Sequence, residues 1–266
     1  DVADAVGIYS YAYLYGSSIL NTGSIFASAT SQGAAHATGI ATNSYDGDSV
    51  IQNFGDVSAD AISLGGAYGA AVATGVRVER ESGKYNLPDL TLVNHGDITA
   101  TATRSGDRGY ASARGTYVNA MYAALYNYGN IAAVAASDAH GYSMAIAVGS
   151  STFGKYGVIE VNDGSISAVS SVGNGGSSKS LALVADAAYG EMVVTNHGDI
   201  FAGSISRFDG PYGGRAYSLG VSIHSEYAVD LYNSGSISAE ASAEHGSAEA
   251  NAVVAQGKDG VATLVD

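Results

Sequence analysis

Apolar and polar residues alternate with period two through most of this chain, the signature of strands with one buried face rather than of helices. Ser49–Asn53, Leu90–Asn94, Val158–Asn162 and Glu191–Asn196 form one set of such stretches, each ending on Asn. Asp97–Thr103 and Ser236–Ala243 belong to a second set, apolar at every other position. A third set is Ala-rich and closes on Gly-Ile or Gly-Val, as in Ala35–Ala41, Ala71–Val78 and Tyr217–Ile223. Alanine favours helix, but its alternation here with Thr, Val, Ile and Gly predicts strand.

The three sets recur in a fixed order around one motif, Asn-x-Gly-(Asp/Ser/Asn)-(Ile/Val)-x-Ala. Its seven copies begin at Asn21, Asn53, Asn94, Asn127, Asn162, Asn196 and Asn233, and carry Gly23, Gly55, Gly96, Gly129, Gly164, Gly198 and Gly235. Successive copies lie 32, 41, 33, 35, 34 and 37 residues apart, so the repeat is near-constant and loops absorb the variation. Three short strands per repeat predict an all-β parallel β-helix (β-solenoid) of about seven coils of about 35 residues, a single domain over residues 1–266. At about 4.8 Å per coil the rod is about 35 Å long. A repeat made of two smaller coils is the geometric alternative.

In this architecture the Asn side chains are expected to stack as an amide ladder, each with donors and an acceptor for its copies above and below. The paired Gly is expected to supply a positive φ at a tight turn. A Tyr precedes each Asn by five to nine residues (Tyr15, Tyr45, Tyr85, Tyr122, Tyr156, Tyr189 and Tyr227), which predicts a half-exposed aromatic column, with a sugar-binding stripe as the functional alternative.

Charge narrows the partners. Acidic residues number 25 against 11 Lys and Arg, a net charge of -14, which argues against nucleic acid because phosphate binding needs clustered cations. Charged residues are only 14% and apolar ones 46%, so material for a core is ample. The absence of Cys excludes disulfides and thiolate metal sites. No stretch is apolar enough for a membrane-spanning helix.

The cadence of an aliphatic residue, Asn-x-Gly-x-Ile-x-Ala and an Ala-rich strand ending in Gly-Ile resembles the passenger regions of Gram-negative autotransporters and filamentous-haemagglutinin-like adhesins. The resemblance spans Val6 to Val265 and implies a right-handed parallel β-helix, secreted or displayed on the surface of a Gram-negative bacterium, without a catalytic motif in the helix itself. The sequence has no C-terminal membrane barrel and no protease-like insertion. Neither end carries an irregular polar cap, so both are expected to pair, with further coils of a longer passenger or head to tail with other copies into a filament.

Enzymatic and metal-site chemistry finds little footing. The six His (His36, His95, His140, His197, His224 and His245) lack metal-ligand spacing, and His95 and His197 of the Asn-His-Gly-Asp copies read as solvated turn residues. Asp46-Gly-Asp48 is a weak calcium loop. Asp56 and Asp97 occupy equivalent slots, but Ser and Asn replace them in other copies, as at a turn. The chain is therefore read as a non-enzymatic structural or adhesive protein that needs no cofactor, with a glycan-binding module or carbohydrate-active enzyme as the rival. Recognition of host or biofilm glycans or proteins is expected in the loops Ala41–Ser49, Glu79–Leu87, Arg104–Ala113, Val172–Ser180 and Arg207–Arg215. Arg108, Tyr110, Phe208, Tyr212 and Arg215 are the contact candidates, since aromatic and Arg side chains anchor interfaces.

Overall fold

The computed structural model describes residues 1–13, 16–66, 68–80, 89–138, 143–207, 214–258 and 260–265, the side chains of 261–265 aside. Strand β1 (Val2–Ala12) leads into a coil of β2 (Ser17–Asn21), β3 (Ile25–Ser31) and β4 (Ala34–Ser44). The next coil is β5 (Ser49–Asn53), β6 (Val57–Ser63) and β7 (Gly69–Arg80). Then come β8 (Asp89–Asn94), β9 (Asp97–Arg104) and β10 (Gly109–Asn127), which fuses the third strand of one coil to the first of the next. After β11 (Asn130–Ser137), β12 (Ser143–Asn162) is fused in the same way, and β13 (Ser165–Val172) and β14 (Gly176–Ala187) follow. The last coils are β15 (Glu191–Asn196), β16 (Asp199–Ser206) and β17 (Arg215–Ser225), then β18 (Ala228–Asn233), β19 (Ser236–Ala243) and β20 (Ser247–Gly257). A final first strand, β21 (Gly260–Val265), pairs with β18 and places Val265 in the Asn register slot.

All pairings are parallel and join each strand to its copy one coil on, as expected of a seven-coil β-solenoid. One coil per motif excludes the two-coil alternative. First and third strands merge into a 14-stranded sheet through β10 and β12, while the second strands form a separate 7-stranded sheet in the order β19-β16-β13-β11-β9-β6-β3.

The core is built from columns of like residues. The first residue after each motif Gly turn that points inward is aliphatic, as at Val57, Ile98, Ile131, Ile166 and Ile200, all buried. Two positions on, Ala59, Ala100, Ala133, Ala168 and Ala202 form an alanine column that faces the alanines of the third strand, such as Ala71, Ala111 and Ala145. Small side chains on both faces let the two sheets close up at interior packing density.

The motif glycines do not have the predicted left-handed backbone. None has a positive φ; those that do are Gly66, Gly106, Gly109, Gly175, Gly176 and Gly260. The reason for Gly is an axial clash. A Cβ on Gly55, Gly96, Gly129, Gly164, Gly198 or Gly235 would lie 1.8 to 2.1 Å from the carbonyl oxygen of the motif Gly one coil earlier. Gly23, in the first motif, has nothing within 4 Å of the same position. A second column, Gly39, Gly75, Gly115 and Gly149, lies where the third strand bends, and a Cβ there would come within 2.4 to 2.7 Å of a branch methyl of Val57, Ile98, Ile131 or Ile166.

The first and third motifs thus supply an internal comparison. Gly96→Ala is expected to destabilise the fold by about 1–3 kcal/mol, the usual cost of overpacking a rigid site. Gly23→Ala should change it by less than about 0.5 kcal/mol. Urea denaturation of the two variants checks this; equal losses would show that turn conformation, not stacking, requires the glycine.

Candidate functional site

The motif asparagines form an unbroken ladder. Nδ2 of Asn21, Asn53, Asn94, Asn127, Asn162 and Asn196 each donates to Oδ1 of the Asn one coil on, at 2.7 to 2.8 Å. The second Nδ2 hydrogen is used locally, for example by Asn94 to the Gly96 carbonyl at 2.8 Å and by Asn233 to the Gly235 carbonyl at 2.9 Å. The side chains are buried, and the ladder meets the hydrogen-bonding demand of a polar column inside an apolar rod.

The variable residue of Asn-x-Gly, expected to lie on a solvated turn, forms a ladder of its own. The rings of Phe54, His95 and Tyr128 stack on one another, with centroids 4.6 and 4.7 Å apart and planes within 11°. Farther along the same column, His197 Nδ1 pairs with Asp163 Oδ1 at 2.6 Å. Two more histidines pair with an Asp stacked in the preceding coil, His36 with Asp4 at 2.9 Å and His224 with Asp186 at 3.5 Å. Asp97, weighed above as a catalytic carboxylate, accepts from Asn130 Nδ2 at 2.8 Å, and Asn130 accepts from Ser165, so it too is a ladder member.

The tyrosine column holds in part. Tyr122, Tyr156 and Tyr189 follow one another at 5.9 and 6.4 Å with tilted rings. At the N-terminal end Tyr45 stacks on Tyr13, at 4.9 Å. Tyr15 and Tyr85 lie outside the described residues, as do the contact candidates Phe208 and Tyr212. Of the other candidates, Tyr110 and Arg215 share one outward register column but are three coils apart, about 14 Å. Arg108 is exposed, and its carbonyl is engaged by Arg104. Of the described contact candidates, Tyr110 and Arg215 are therefore not brought together.

Two buried ionisable side chains escaped the sequence reading. Arg104, placed above in a recognition loop, points inward at the end of β9, in a register slot filled by Ser63 and Ser137 in adjacent coils. Its guanidinium donates to the carbonyls of Ser63 (3.4 Å), Gly66 (3.0 Å) and Arg108 (2.7 Å), tying down two successive loops. Desolvation pulls its pKa below the usual arginine value, with Asp107 opposing.

Glu160 is fully buried in a column otherwise made of Ile51, Leu92, Leu125, Val194 and Leu231. Ser150 donates to its Oε1 at 2.8 Å and in turn accepts from Thr116 at 3.2 Å. Oε2 and the nearby buried Thr152 Oγ1 have no other partners, so a proton on Oε2 directed at Thr152 satisfies both. Desolvation raises the Glu160 pKa from 4.5 to about 7, against hydrogen bonds from Ser150 and Thr152 that lower it. Polarity persists into the next coils, where buried Ser170 bonds Ser178 and Ser180 at 2.7 and 2.8 Å.

In the weak calcium loop, Asp48 Oδ1 accepts the Asp89 N–H at 2.9 Å, and burial followed by the charge of Asp48 raises the Asp89 pKa. Among the described residues no group of three or more His, Asp or Glu is placed to hold a metal ion. Among the described residues no helix is long and apolar enough to cross a membrane. Comparison with known protein families, curated proteins and solved structures finds no match, so the repeat geometry alone carries the functional argument.

Because the folded state holds the Glu160 proton more tightly than the unfolded chain, stability is greatest below pH 4.5 as far as this group is concerned, and falls as pH rises through about 7. The loss is about 3 kcal/mol, at about 1.4 kcal/mol for each pH unit between the two values. Glu160→Gln should flatten this part of the pH profile, measured as urea midpoints between pH 4.5 and 8; an unchanged slope would place the titration elsewhere.

Proposed function

We propose that the protein is a structural rod of a bacterial surface, extended at its ends by coils of another copy stacked head to tail, with its outward faces free for adhesive contact. The observation that carries the reading is the unbroken axial stacking: six successive Asn–Asn hydrogen bonds of 2.7 to 2.8 Å and parallel pairing of each strand with its copy tie the coils into one rod that a further coil in the same register would lengthen. At the N-terminal end β1, β2 and β3 each have a paired strand on one side only. At the far end β19, β20 and β21 are equally one-sided. Strand edges of this kind join through main-chain hydrogen bonds, and a head-to-tail contact repeats without closing.

In such a joint, β1 of one copy adds to β20 of the next and β2 adds to β21. The middle sheet has seven strands and would leave one rung open, so the first and third strand columns hold the joint. The resemblance to secreted passengers supports an extracellular location, and low charge with a net -14 suits an exterior that resists nonspecific association.

Electron microscopy of the purified chain over a concentration series tests the reading. Filaments that lengthen with concentration are expected, with an axial spacing of about 4.8 Å from coil to coil. Monodisperse particles at every concentration would withdraw self-stacking.

A further inference from the structure

Three cavities among the described residues lie along one corner of the rod, where the third strand of a coil gives way to the first strand of the next. One, of about 360 Å³, is lined by Arg80, Asn119, Phe153, Lys155 and Asp186 among others. The adjoining one, of about 600 Å³, shares Asp186 and Ala188 with it and continues past Tyr189, His224, Tyr227 and Lys258. A third, of about 500 Å³, occupies the same corner at the N-terminal end, between Ser10 and Ser18.

We propose that this corner groove, from Arg80 to Lys258, binds a linear polysaccharide lying parallel to the rod axis. The corner dipeptides explain how the groove is furnished. Lys155-Tyr156, Ala188-Tyr189 and Glu226-Tyr227 occur in successive coils, so three consecutive rungs each add one tyrosine to the rim. Tyr122, Tyr189 and Tyr227 are 49%, 59% and 44% exposed, and each presents ring surface beside a polar tip. Between the rings the groove is polar. His224 pairs with Asp186 at 3.5 Å and Lys258 with Glu226 at 3.2 Å, which holds both carboxylates in place as acceptors for hydroxyl groups. Apolar rings with a few fixed polar groups are the ordinary composition of a small-molecule cleft.

Periodicity selects the ligand. Rungs repeat at about 4.8 Å, close to the length of one pyranose unit, so successive sugars of a linear chain meet equivalent rungs. An extended peptide adding to a sheet would need an open strand edge, and β12, β14, β15 and β17, which carry most of the groove, are each paired on both sides. Nucleic acid is disfavoured by the net charge of -14. The groove runs along the side of the rod, so this site stands or falls independently of stacking at the ends.

Isothermal titration of the purified chain with cellohexaose, chitohexaose and a hexameric oligogalacturonate, each against its own disaccharide, tests the proposal and separates neutral from acidic chains. At least one hexamer should bind about tenfold tighter than its dimer, because it spans several rungs. The double variant Tyr189→Ala/Tyr227→Ala should weaken that binding about tenfold, whereas Tyr68→Ala, at an exposed ring away from the groove, should leave it unchanged. Circular dichroism of the double variant should match that of the parent, since both rings are half-exposed. Absence of binding by all three hexamers, or binding that the double variant retains, overturns the proposal.

Discussion

Parallel pairing of each strand with its own copy, one strand spacing away, is the constraint on which the rest of this molecule depends. Every side chain must be compatible with the residue directly above and below it at about 4.8 Å. Like groups that attract at this distance form columns: amides that donate and accept, rings that stack, and aliphatic chains that close-pack. Groups that would clash are excluded, which is why the motif glycines abut carbonyl oxygens of the preceding coil. A local turn and a long-range packing contact are thus the same event, repeated six times.

Much of this was legible because repetition puts the same residue in each slot. Strand order, coil number and the Asn ladder follow directly from seven copies of one motif. The role of the glycine was misread because its clash is axial, with a residue 32 to 41 positions away, and a turn is the nearer explanation in sequence. The Phe54–His95–Tyr128 stack was hidden for a different reason: its members share shape rather than identity, so the slot reads as variable. The stack of Tyr13 on Tyr45 was missed because spacing to the motif Asn does not single out every tyrosine that meets its copy at a corner. Alternation places Glu160 and Arg104 at inward positions, but residue type argued for the surface, and only the register shows that the fold accepted both.

Those two buried groups solve one problem in opposite ways. A charge in a low-dielectric interior is costly unless it is hydrogen-bonded or neutralised. Arg104 keeps its charge by turning its two terminal nitrogens to three carbonyls, one at the end of β6 and two in the loops beyond the strand ends. Glu160 sits mid-strand, where main-chain acceptors and donors are already paired in the sheet, and only hydroxyls of Ser150 and Thr152 are at hand. Holding a proton is its accessible solution.

The Asn ladder also has a direction. In all six steps the amide nitrogen belongs to the earlier coil and the oxygen to the later one. Sheet backbone dipoles largely cancel, but these side-chain dipoles point one way and add, as peptide dipoles do in a helix. The rod is therefore electrically polar along its length, positive toward Asn233 and negative toward Asn21. Two such rods placed in line attract when they point the same way and repel when they meet like end to like end, so the amide column gives the axis a sense that the near-identical coils would otherwise lack.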